Sequence, residues 1–88
     1  MLEFDNLISL DEVDNYDNPS IFAHFFFGDY HWYVLAGDKQ EDGDWLLFCF
    51  VDLFCKELGY VTLGELLDIG AVLDTDWDCS IGLDSVMV

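Results

Sequence analysis

Eighty-eight residues allow one domain with a small core. The apolar fraction of 53% is too high for a disordered acidic tail, yet 19 acidic residues stand against two lysines, Lys39 and Lys56, for a formal charge of −17. That balance excludes direct DNA or RNA binding, which needs a basic face, and disfavours anionic membranes; it favours fast, salt-sensitive association with a strongly basic protein.

The acidic start, M-L-E-F-D-N, lacks the basic segment that opens a signal peptide. S-L-D-E (9–12) has the form of a capping box and predicts a short helix over 9–15. Pro19, in D-N-P-S, marks a turn that sets this segment apart.

Beyond Pro19 the chain becomes rich in strand formers. I-F-A-H-F-F-F (21–27) and H-W-Y-V-L-A (31–36) suit strands, joined by a turn that begins at Gly28. G-D-K-Q-E-D-G-D (37–44) reads as a long polar hairpin loop leading to a third strand, 45–53. Its apolar run, W-L-L-F-C-F-V, is far too short to span a bilayer. Thr62 and Glu65 stand at capping-box spacing, Leu63, Leu66 and Leu67 form an apolar stripe, and Gly70 suits a helix stop, which places a helix at 62–69. V-L-D-T-D-W-D then predicts a last strand over 71–78, with Leu73, Thr75 and Trp77 on one face and Asp74, Asp76 and Asp78 on the other.

The expectation is therefore a single acidic α+β domain over 1–88. It is an antiparallel meander of about four strands with one or two short helices packed on it. Ile21, Ala23, Phe25 and Phe27 face one way in the first strand, while Phe22, His24 and Phe26 face the other. Cover on both sides of the sheet, or a homodimer, would account for this. Three cysteines, Cys49, Cys55 and Cys79, form an odd set with no C-x-x-C; reduced, buried thiols in a cytoplasmic protein are expected.

D-T-D-W-D-C-S-I-G-L-D-S begins like an EF-hand calcium loop, but Cys79 stands where the turn needs glycine and Ser85 where it needs a bidentate glutamate. Alternating charge on an edge strand needs no function beyond deterring pairing with other chains. The functional reading is phosphate mimicry. Alternate strand residues lie about 6.6 Å apart. Phosphates rise about 3.4 Å per nucleotide along the duplex axis and are further apart through space, so the two spacings are comparable. Asp38, Glu41, Asp42 and Asp44 in the hairpin loop would extend the row, with Trp77 or Tyr30 as an apolar anchor. Halophilic adaptation also makes acidic chains, normally without so aromatic a core.

His24 and His31 are the only histidines, and metal binding would need carboxylate company; Asp29 is near in sequence. No Ser-His-Asp order, phosphate-binding glycine loop or nucleophile elbow is present. Carboxylates on an exposed face should keep ordinary pKa values, which acid-base catalysis cannot use. Neither an enzyme nor a bound cofactor or metal is expected.

H-W-Y-V, D-G-D-W-L-L-F-C-F-V and E-L-G-Y-V-T-L-G-E-L, with an acidic segment after them, resemble a small family of uncharacterised proteins carried by phages, plasmids and other mobile elements. The likeness covers about residues 21–78 and is most specific at Glu57 to Leu66. Some relatives of that family are anti-CRISPR proteins, so the resemblance implies a mobile-element origin and inhibition of host defence in the bacterial cytoplasm. It implies no catalytic residues. The expected partner is a basic DNA-binding protein, foremost a CRISPR effector. The alternative is an immunity protein, antitoxin or anti-restriction factor that neutralises another basic protein.

Overall fold

The computed structural model describes Phe4 and residues 6–87; Met1–Glu3 and Asp5 of the acidic start, and Val88, lie outside the described residues. Five strands, β1 (Ala23–Phe27), β2 (Tyr30–Lys39), β3 (Trp45–Asp52), β4 (Lys56–Thr62) and β5 (Val72–Leu73), form one antiparallel sheet in the order β4-β3-β2-β1-β5. A single α-helix among the described residues, α1 (Leu63–Asp68), carries the chain from the β4 edge to the β1 side. This is the expected α+β, mostly sheet architecture, with five strands where about four were expected.

Local chemistry explains the hairpins. Gly28 takes φ 59° at the first position of the two-residue β1–β2 turn, a conformation that favours glycine. β2 runs on to Lys39 because a bulge between Val34 and Ala36 puts Leu35 and Ala36 on one face and restores the register. The polar loop therefore begins at Gln40, not at Gly37. Gln40 N–H donates to Asp44 O (2.8 Å) and Gly43 N–H to Gln40 O (3.0 Å).

β4 is a strand that sequence reading passes over. K-E-L-G-Y-V-T mixes lysine, glutamate and glycine, all weak strand formers, and takes its conformation from seven paired positions along β3. α1 matches its expectation. Thr62 and Glu65 close a capping box, Gly70 (φ 86°) follows the helix, and Ala71 N–H reaches back to Leu66 O at 2.9 Å. The helix expected over 9–15 is only a 3-10 turn at Val13–Asn15. Ser9 gives its hydroxyl to the Glu12 carboxylate instead of capping a backbone N–H, and Asp14, Asn15 and Asn18 are weak helix formers.

Both sheet faces are covered from within the chain. On one face Ala23, Phe25, Trp32, Val34, Leu47 and Cys49 pack against Leu66 of α1 and Ala71, with Phe4 and Leu7 joining from the N-terminal side. On the other, Ile21, Leu35, Ala36 and Phe50 lie under Val13 and Leu83, flanked by Ile8, Leu10, Trp77 and Ile81. Cover from within the chain thus accounts for the two apolar faces of β1, but the expected alternation holds only from Ala23 onward: Ile21 and Phe22 precede the strand, and Ile21 packs on the second face and Phe22 on the first. Of the three cysteines, all free, Cys49 alone is buried; Cys55 and Cys79 are exposed, contrary to the expectation of buried thiols. No helix among the described residues is long and apolar enough to cross a membrane.

The strand expected over 71–78 stops at Leu73. Beyond it the aspartates make turns. Asp74 Oδ1 accepts the N–H of Asp76 (3.0 Å), and Asp78 Oδ1 accepts the N–H of Ser80 (2.9 Å) and its hydroxyl (2.7 Å). Trp77 N–H closes on Asp74 O (3.3 Å), and Ile81 N–H on Asp78 O (3.2 Å). An aspartate two residues before a free N–H favours a turn as strongly as alternation favours a strand, and here the turn wins.

Candidate functional site

The described carboxylates fall into separate places. Asp38, Glu41, Asp42 and Asp44 gather at the β2–β3 hairpin end. There Asp42 Oδ1 accepts Asp44 N–H (3.0 Å), and Asp44 Oδ1 accepts Trp45 N–H (2.8 Å) and Gly64 N–H (3.0 Å). Asp44 thereby ties the hairpin to the first turn of α1, beside Glu65. Asp38 Oδ1 accepts from Leu10 N–H at 3.4 Å, while Glu41 is exposed. Asp74, Asp76 and Asp78 lie instead along the outer side of β1, where Asp74 N–H donates to His24 O (2.9 Å). The loop does not extend the row, and residues 74–78 do not present three carboxylates on one strand face.

Trp77 is not a rim anchor. Its Nε1–H donates to Ile21 O (2.9 Å), and its ring packs against His24 and Tyr33 at centroid distances of 5.2 and 5.7 Å. Tyr30 is half-buried and meets Phe54 edge-on at 5.7 Å.

Sequence reasoning missed a hydrogen-bonded chain of three side chains. His24 Nδ1 lies 2.9 Å from Asp74 Oδ2, and His24 Nε2 lies 2.8 Å from His31 Nδ1. His24 is buried, and Tyr33 stacks on it at 4.8 Å. The signal in the sequence was two histidines seven apart across a two-residue hairpin, which antiparallel pairing sets on one face in diagonal positions. The carboxylate company comes from Asp74, not from Asp29.

Proton positions follow from the acceptor-only carboxylate: His24 donates from Nδ1 to Asp74. In the neutral pair His24 Nε2 then accepts from His31 Nδ1–H. Both nitrogens of His24 are committed inside the fold, and neither is left to activate a nucleophile. The hydrogen bond from His24, and after it that from Asp76 N–H, holds the Asp74 carboxyl below the usual carboxylate range. Ser80, through its N–H and then its hydroxyl, does the same for Asp78. These two carboxylates depart from the ordinary values expected of an exposed face. Burial, followed by the charge of Asp52, raises the Tyr33 phenol.

Among the described residues no three His, Cys, Asp or Glu side chains converge on a metal position. The fold and this cluster define an acidic, mostly antiparallel α+β domain with a histidine-aspartate chain braced by aromatic rings. No family model, curated protein or solved structure matches the chain.

Proposed function

We propose that the protein is a non-enzymatic inhibitor that mimics nucleic acid and fills the basic DNA-binding groove of another protein. A CRISPR effector, through its PAM- or duplex-reading cleft, is the proposed target. One observation carries the reading. The carboxylates of Asp42, Asp74 and Asp78 are each held by a hydrogen bond from a backbone N–H, beside the exposed Glu41 and Asp76, and the whole chain has two lysines to offset its acids. Carboxylates held this way pair with arginine and lysine through charge-assisted bonds without first being ordered. The choice of a CRISPR effector rests on the sequence resemblance alone; the nucleic-acid-mimic reading rests on the carboxylates.

The decisive experiment is a pull-down from host lysate at low and high salt, followed by competition for target DNA on the captured effector. Target DNA is displaced at low salt and progressively less as salt rises. DNA that stays bound at saturating inhibitor overturns the proposal. Reversal to lysine is made separately at the exposed Glu41 and Asp42 of the hairpin end and at the exposed Asp76 of the turns, and it assigns the contact surface: inhibition is lost with the set that touches the cleft.

A further inference from the structure

β4 is the exposed margin of the sheet. It pairs with β3 on one side, and no strand lies on its other side among the described residues. The opposite margin is β5, only two residues long, which is a common way of blunting an edge. β4 has seven residues, no proline and an unbroken register with β3. The Thr62 N–H is taken by Glu65 Oε1 at 3.2 Å, so the template for an added strand is the backbone around Leu58 and Tyr60.

The side chains beside that edge are not those of a protected margin. Leu58 and Tyr60 are 47% and 65% exposed, and the Tyr60 ring meets Phe48 at 5.1 Å. Next to them, under the N-terminal turn and the C-terminal tail, runs a groove of about 400 Å³. Phe48, Leu58 and Met87 line it, and Asp14, Asp17 and Asp84 stand among its walls. On the other sheet face Gly59 leaves open space where a side chain would stand.

We propose that the β4 edge and this groove form a docking surface for an extended, cationic segment of a protein partner. The segment adds as a sixth strand. Its alternate apolar side chains lie on Leu58 and Tyr60 and enter the groove, lysines or arginines between them turn to the other face beside the exposed Glu57, and those that flank the paired stretch meet Asp14, Asp17 and Asp84. Charge selects this occupant. A second copy would bring 19 more carboxylates to an acidic rim, and nucleic acid carries the same sign. The inference rests on the reading of the partner as a basic protein, and it names the face that the partner grips.

The probe is a capped nine-residue peptide of alternating lysine and leucine, with a control in which glutamate replaces lysine. Amide hydrogen exchange is followed on the full, isotopically labelled chain. The lysine peptide slows exchange along 56–62, and the glutamate peptide does not. Leu58→Arg, at an exposed position, weakens the lysine peptide roughly tenfold or more, equivalent to about 1.4 kcal/mol, while Asp29→Lys, in the exposed β1–β2 turn, leaves its affinity within about threefold. Protection at 40–44 or 74–80 instead of β4, or equal binding of both peptides, overturns the proposal. So does protection of β4 that rises with protein concentration alone, since it makes the occupant a second copy. An inhibitor that displaces DNA while the peptide leaves β4 unprotected removes the docking surface and keeps the mimic reading; a protected β4 with DNA undisplaced does the reverse.

Discussion

His24 spends both ring nitrogens inside the protein, one on Asp74 and one on His31, and so ties β1, β2 and the turn after β5 together. Replacing it with phenylalanine keeps the stacking on Tyr33 but strands the Asp74 carboxylate; the expected result is a lower melting temperature and faster amide exchange through 74–78. The sign of the acid response follows from Asp74 and Asp78. Both folded values lie below the unfolded one, so each contributes stability that is fully present above about pH 4 and is lost as pH falls through the folded value. Acid titration should therefore loosen residues 74–80 before the sheet. Exchange measured below about pH 4 checks this, and Asp74→Asn should flatten the acid limb. Thiol chemistry supplies a second residue-scale prediction. Burial pushes Cys49 up to about 12, so in the folded protein an alkylating reagent should label Cys55 and Cys79 and leave Cys49 intact.

At the scale of elements, α1 is short and holds through its caps and one buried residue. Leu66→Ala should cost about 2–5 kcal/mol by urea unfolding, because the site lies between helix and sheet with no solvent to fill the gap. Thr62→Ala should cost about 0.5–2 kcal/mol through loss of the cap. This helix was legible because its signals, Thr62, Glu65 and Gly70, act within a few residues of one another. β4 was not, because Lys56, Glu57 and Gly59 break up its first half, Tyr60, Val61 and Thr62 lead straight into the helix cap, and what makes the whole segment a strand is its pairing with β3. The last strand was misread for a different reason. D-T-D-W-D satisfies both a two-residue alternation and a pair of aspartate turns, and local sequence does not rank them. Trp77 does: once its indole donates to Ile21 O and its ring joins Tyr33 and His24, the chain has to bend there.

For the molecule as a whole, the excess of acid is a stability cost beside the recognition role proposed for it. Carboxylates about 7 Å apart repel by roughly 0.6 kcal/mol each in water, and salt screens that repulsion. Thermal unfolding at rising sodium chloride should show a rising melting temperature, together with weaker binding to any basic partner. A melting temperature that falls with salt would mean that attractive pairs dominate. The candidate site was only half legible. The acidic residues were plain, whereas their division between the hairpin end and the β1 flank depended on where the strands stopped.

Read as a chain, the protein already shows its charge, its sheet-forming centre, its first hairpin and the capped helix. Periodicity, glycine turns and capping residues express their preferences over short distances. The strand β4, the turns at Asp74 and Asp78, and the burial of one cysteine out of three belong to the folded molecule. So does the meeting of His24 with Asp74, fifty residues away in sequence. Each of these depends on which remote surface arrives to accept a hydrogen bond or exclude water, and no local pattern carries that information.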